Sequence, residues 1–381
     1  MSDARINVTL DGKRLEAGAL ALLTRAEVRE SDVDPTVAAL RFNLSQLPDG
    51  EFAPVDEALF TPAAPLALDI EAPGSNPLRL FEGFVTHVRP HFERIESNCY
   101  VEILAMDAAV VLDAEERVTS YPDMTDTDAA AQIFDRYKID LSSEPTIARH
   151  EADKQLLVQR GTDWDFVQRL ARRNGFVCYL EPDPATGKTA AFFRPRAVTG
   201  TPQADLTVLR EGANLLWIDF QLVMSGPARV RGAALDPIEK RLVRGDGAPA
   251  LAAMGEALLD AEIEAGLTGA GAAAAVALLR DPQPLDQAIA AAAAAATDRA
   301  LLAVEARGEV DPALYRGLLR ARRPVLVKGV GRLFAGAYYV RAVRTTLEEG
   351  ALRQTFVAER NATGLSGRED FGKSAEEVPP Q

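Results

Sequence analysis

Few residues in this chain have types and spacing suited to chemistry. The three histidines, His87, His91 and His150, match no H-E-x-x-H pattern and no cluster with metal-ligand spacing. His87 and His91 are four apart, but they lie in a strand-like stretch interrupted by Pro90, where that spacing does not make one helical face. Asp163 and Asp165 could mimic a paired-carboxylate acid–base site. At i, i+2 on a helix they do not face each other, and a first-turn role in capping and the helix dipole accounts for them better. Gly187-Lys188-Thr189 matches the tail of a phosphate-binding loop. Pro182 stands where that pattern needs its first glycine, and a strand follows where a phosphate-cradling helix would have to start. No G-x-S-x-G elbow occurs. Cys99 and Cys178 lie far apart in apolar runs and read as two reduced core thiols. The expectation is no catalytic residue, no cofactor and no metal; a glycosidase pair drawn from distant acids is the enzyme form the pattern leaves open.

The elements around these residues are clearer than any site. Arg160 to Glu181 reads as helix start, helix, stop and strand. Thr162 and Asp163 are N-cap types, Trp164, Val167, Leu170 and Ala171 recur at helical spacing, and Phe166 widens that face. Arg172 and Arg173 fall in the last turn, and Gly175 sits where a left-handed C′ residue is wanted. Phe176–Leu180 and Thr189–Arg194 bracket a loop and predict a β-hairpin. Upstream, Thr125 or Thr127 caps a helix with Ala130, Ile133, Phe134 and Tyr137 on one face. Residues 4 to about 113 are short strands, beginning with Ile6, Val8 and Leu10 before the hairpin pair Asp11-Gly12. Strand patterning returns from Asp205 and again from Pro324. Between them the chain is Ala-rich, with one helix expected around Leu251, Met254, Leu258 and Leu259, a break at Gly266–Gly271, and a second helix over Ile289–Val304 that packs thinly.

The predicted fold is therefore a β-rich α+β protein. Two similar small β-barrels (1–114 and 204–364) flank an α+β module (115–203), the second barrel carries an Ala-rich helical insertion (about 240–306), and 365–381 is a flexible tail. The two barrels end alike: Phe81-Glu82-Gly83 then Val85–Val88 in the first, Phe334-Ala335-Gly336 then Val340–Val343 in the second. A net charge of −14 argues against nucleic acid. The polar N-terminus and the lack of a long apolar run predict cytosolic synthesis and no membrane anchor.

Asp163, Trp164, Phe166, Arg169, Leu170, Gly175 and Phe176 resemble the D-W-x-F-x-x-R-L-x-x-x-x-G-F segment of tail hub proteins of contractile injection systems, a family that includes the phage late control protein D and the hub part of VgrG. Gly329, Gly331, Phe334, Gly336, Tyr338, Tyr339 and Val340 resemble the same family's G-x-G-x-x-F-x-G-x-Y-x-V strand pair, and Phe356 through Arg360-Asn361 its closing strand. The resemblance spans about residues 4 to 364. It implies a structural baseplate hub: a homotrimer whose three chains give six similar β-units, joining a hexameric tail tube to a trimeric spike beside other baseplate proteins. The chain shows no OB-fold or β-helix after its closing strand, so the spike is expected to be a separate protein. A tail-associated peptidoglycan hydrolase is the alternative.

Overall fold

The computed structural model describes residues 4–47, 49–53, 61–153, 156–183, 186–223, 226–236, 238–272, 276–279 and 286–367. The expected tail lies mostly outside them.

Alternation with period two becomes one sheet of thirteen strands. In the N-terminal half the spatial order is Arg5–Leu10, Pro65–Glu71, Leu78–His91, Tyr100–Met106, Val37–Asn43 and Leu23–Ser31, each antiparallel to its neighbour. Val8, Leu40, Phe42, Leu68, Val101 and Ile103 point to one face and form its core. The hairpin at Asp11-Gly12 forms with Leu10 opposite Lys13, both turn residues at positive φ, 49° and 73°. In the C-terminal half the order is Leu215–Leu222, Val304–Val310, Ala351–Arg360 and Gly336–Glu348, over a second core that includes Val304, Val310, Val325, Tyr338 and Phe356.

The two expected barrels do not form: among the described residues no ladder closes either half, and both belong to one open sheet. The reason is the strand Gly336–Glu348. One of its edges pairs with Ala351–Arg360 along its length. The other forks: Gly336–Tyr339 pairs with Pro324–Val327, and Ala342–Glu348 pairs with Arg25–Ser31. The edge that would close a barrel is used to join the halves.

The similarity of the two halves has a structural counterpart. Leu78–His91 shifts register between Val85 and His87 against Tyr100–Met106, leaving Thr86 as the extra residue of a bulge. Gly336–Glu348 shifts between Val340 and Ala342 against Ala351–Arg360, leaving Arg341 as the extra residue. These are equivalent positions of the repeat, and the residue before the bulge is a valine facing an alanine in both (Val85–Ala105, Val340–Ala358).

Between the halves, helices Asp126–Arg136 and Asp163–Arg173 pack on short sheets around Ile133, Phe134, Trp164, Phe166, Leu170 and Phe193. Thr125 caps the first helix in a reciprocal capping box with Asp128. The hairpin Phe176–Pro182 with Thr189–Pro195 forms, so Gly187-Lys188-Thr189 leads into a strand.

The insertion differs from expectation in two ways. Leu251–Leu259 is not a helix; the helix is Asp260–Gly269, which runs through the expected break. The earlier residues are claimed by the chain's end: Met254 N donates to Asn361 Oδ1 (3.0 Å) and Glu256 N to Thr363 O (3.0 Å). The second helix is Asp286–Leu301, giving up Val304 to a strand. It does not pack thinly. It lies on the hairpin Arg229–Leu235 with Leu242–Gly247, where a Cβ at Gly245 would stand 2.8 Å from Ala290 N and one at Gly247 2.3 Å from Ala293 O. Small residues on both sides bring backbones together, and buried Thr297 bridges them, accepting from Val230 N (2.8 Å) and donating to Gly247 O (3.0 Å).

Candidate functional site

The most concentrated polar chemistry lies where the three parts of the chain meet. The run Arg320-Ala321-Arg322-Arg323 precedes Pro324–Lys328, a strand buried along its length; Arg320 and Arg322 are buried and Arg323 is half-buried. Arg320 Nε donates to Glu30 Oε1 of the N-terminal half (2.8 Å) and its Nη2 lies 3.3 Å from Glu181 of the middle module. Arg322 donates to Ser31 O (2.9 Å), Thr36 Oγ1 (2.9 Å) and Leu180 O (3.4 Å), and stacks 4.4 Å above the Tyr179 ring. Its backbone is left-handed, φ 67°, costing about 1–2 kcal/mol for a residue with a Cβ. Arg323 also bonds Glu181. Burial pushes the Glu181 carboxyl up, but Arg320, Arg323 and Arg322 outweigh it and hold it down at about 2. A second ion pair, Arg196 Nε to Asp32 Oδ2 (2.9 Å), ties the middle module to the N-terminal half beside fully buried Tyr339. Here burial dominates and pushes the Asp32 carboxyl up, with Arg196 opposing it.

Asp163 is not a cap. Thr162 is the N-cap, accepting from Asp165 N (3.2 Å), while the fully buried Asp163 carboxylate accepts from Arg136 Nη1 (2.9 Å), Tyr137 OH (2.7 Å) and Gln159 Nε2 (2.7 Å). Asp165 is exposed, so the two acids share no site. Trp164 and Leu170 are buried in the module core, Phe166 stacks on Tyr121 at 5.4 Å, and Arg169 is exposed above the Phe166 ring at 5.2 Å. Gly175 takes the left-handed conformation, φ 71°, and lets Ala295 of the insertion approach: a Cβ there would lie 3.0 Å from the Ala295 Cβ.

The other motif residues gather at the far end of the sheet. Gly329, φ 85°, has no room for a side chain, since a Cβ would stand 1.9 Å from Val208 O. Gly331, φ 78°, opens the single turn Gly331–Phe334, and Phe334 stacks on Phe220 at 4.7 Å. Gly336, φ 133°, starts the forked strand, in which Tyr339 and Val340 are fully buried. Arg360 is buried and donates to Ala335 O (2.9 Å), Met254 O (3.2 Å) and Gly364 O (2.6 Å). Asn361 accepts from Met254 N and donates to Ala252 O (3.1 Å).

The histidines are scattered. His91 stacks on Tyr100 at 4.8 Å, His87 is exposed, and His150 is buried against Asp126, 2.8 Å away. Both cysteines are buried and free. Among the described residues no group of three or more His, Cys, Asp or Glu side chains could hold a metal ion, and no helix is long and apolar enough to cross a membrane.

Sequence reasoning passed over the buried arginines, because a basic run looks like a solvated face. A signal was available: Glu181 continues the apolar run Phe176–Leu180, and an acid buried in a strand requires a buried cation.

Over residues 35–349 the chain matches the family described as Alg8 N-terminal domain. No curated protein matches. Among solved structures, the chain is similar to the 43 kDa tail protein of prophage MuSo2 from Shewanella oneidensis, at TM-score 0.61 and 13% identity, covering 94% of this chain and 98% of that one. It is similar to the tail protein from Neisseria meningitidis MC58 at TM-score 0.62 and 12% identity, covering 95% and 98%. The E. coli c3393 protein, described as a component of the type VI secretion system with structural similarity to the T4 tail proteins gp27 and gp5, is matched at TM-score 0.54 and 15% identity, covering 94% and 77%. At these identities the likeness is one of fold.

Proposed function

The chain belongs to the Alg8 N-terminal domain family, and from its fold we propose that it is a structural component of a phage tail or contractile injection system, acting as the baseplate hub. The observation that carries this reading is the repeated bulge at Thr86 and Arg341, in halves locked together by the ionic joint. Two similar units per chain, held rigidly, are what a threefold-to-sixfold adaptor needs. Three copies around an axis present six units to a hexameric tail tube and keep threefold symmetry for a trimeric spike. Each contact in such an obligate ring is expected to bury on the order of 2,000 Å² or more.

In this reading 1–114 and 204–364 are the paired units and 115–203 is the wedge between them. The motif residues are structural: Asp163, Trp164, Phe166, Leu170 and Gly175 set the wedge, and Gly329, Gly331, Phe334, Gly336, Tyr339, Val340, Arg360 and Asn361 set the end of the forked strand. Of the motif side chains, that of Arg169 faces outward. The protein has no catalytic step of its own, assembles in the cytoplasm with the tube, the spike and other baseplate proteins, and binds neither nucleic acid nor membrane.

Light scattering across a concentration series, alone and with the tube and spike proteins of the same particle, tests this. A stable species of three times the 41.0 kDa chain is expected. A concentration-independent monomer in every mixture overturns the hub assignment.

A further inference from the structure

A cleft of about 620 Å³ opens beside the Asp163–Arg173 helix, and five arginines line it. Arg160 comes from the strand Leu157–Thr162, Arg169, Arg172 and Arg173 from the helix, and Arg299 from the helix of the insertion. Arg173 is neutralised by Asp126. The other four are not. Arg299 Nη1 donates to Arg172 O (2.8 Å), Arg172 Nε to Gln168 O (3.3 Å), and Arg169 rests over Phe166. Arg160, Arg169, Arg172 and Arg299 form no ion pair among the described residues. Partial burial, with Arg196 and Arg172 close by, pushes the Arg299 guanidinium down, and Asp298 opposes them.

Four guanidinium groups without an ion pair thus stand in one concavity of a chain of net charge −14, with Asp298 near Arg299. Like charges held together raise the energy of the empty protein, and a bound anion relieves it. Guanidinium forks suit oxyanions, carboxylate or phosphate alike. The floor distinguishes between them. Leu156, 42% exposed, and half-buried Leu279 line the same cleft and favour a ligand carrying apolar side chains among its acids. A nucleic-acid strand lacks such side chains, and a chain of net charge −14 repels a long phosphate backbone.

We propose that this cleft is a docking site for an acidic, leucine-bearing segment of a partner polypeptide. The helix that carries the D-W-x-F-x-x-R-L pattern then has two sides with two tasks: one packs the module core, and the other, through Arg169 and Arg172, receives the partner.

The test is fluorescence anisotropy of a labelled peptide of alternating glutamate and leucine against the full chain. Saturable binding that weakens between about 50 and 300 mM salt is expected. The Arg169→Gln/Arg172→Gln/Arg299→Gln variant is expected to lose roughly tenfold or more in affinity. Arg231→Gln, at an exposed arginine of the insertion hairpin, is expected to change nothing. All three side chains reach the surface, so circular dichroism should match wild type, with a small drop in melting temperature from loss of the Arg299–Arg172 O hydrogen bond. If the triple variant does not fold, Arg169→Gln alone must weaken binding at least twofold. Absence of saturable binding, equal binding by the folded variant, or tighter binding of tripolyphosphate or a single-stranded DNA oligonucleotide overturns the proposal.

Discussion

Replacing Glu181 with glutamine tests the joint directly. The carboxylate is 5% exposed and lies against Arg320, Arg322 and Arg323. Held at about 2 against an ordinary value of 4.5, it gives the folded state about 3 kcal/mol through proton linkage. Removing one partner of a buried ionic cluster costs about 3–5 kcal/mol, in agreement. The sign follows from the direction of the shift. The folded carboxyl titrates below the unfolded one, so as pH falls the unfolded chain takes up the proton first. The contribution is full above about pH 4.5 and is lost as pH falls toward 2. Urea unfolding followed by tryptophan fluorescence should therefore show Glu181→Gln less stable than wild type by about 3 kcal/mol at pH 7 and by about 1 kcal/mol at pH 3. Equal gaps at both pH values, or no gap at pH 7, would refute the claim that Arg320, Arg322 and Arg323 act through this carboxylate.

Two contrasts test the motif residues. Gly329→Ala drives a Cβ into Val208 O and should prevent folding of the C-terminal half, whereas Gly331→Ala faces open space and should cost only about 1–2 kcal/mol for its left-handed backbone; equal losses in melting temperature would show that backbone conformation alone matters. Trp164→Ala, at a residue 7% exposed, should destabilise the chain by about 3–5 kcal/mol, and an unchanged melting temperature would remove Trp164 from the core.

Local signals in the sequence were read correctly where one element carried them. Asp11-Gly12 makes its hairpin, Thr162 caps its helix, Gly175 takes the left-handed C′ position, and the strands bracketing Gly187 pair. What depends on distant partners was not legible. Nothing near Leu23–Ser31 shows that its free edge meets Ala342–Glu348 some three hundred positions on, so two barrels were expected where one forked sheet exists. Leu251, Met254, Leu258 and Leu259 fit a helical period, but Asn361 and Thr363 draw that backbone into extended pairing. The alanine run looked weakly packing because its partner surface, Gly232, Gly245 and Gly247, is small as well; only their apposition shows how close the two backbones come. The polar roles of Asp163 and Arg322 were hidden for the same reason, since their partners come from other elements.

The forked strand also sets a schedule for synthesis. While the ribosome is still making the middle of the chain, Leu23–Ser31 has Val37–Asn43 on one side and an unpaired row of amides and carbonyls on the other. That edge stays open until Gly336–Glu348 has emerged. An open strand edge is a template for pairing with another nascent chain. A strand made late therefore protects one made early, and a ribosome that stops before residue 336 releases an N-terminal half with its edge uncovered.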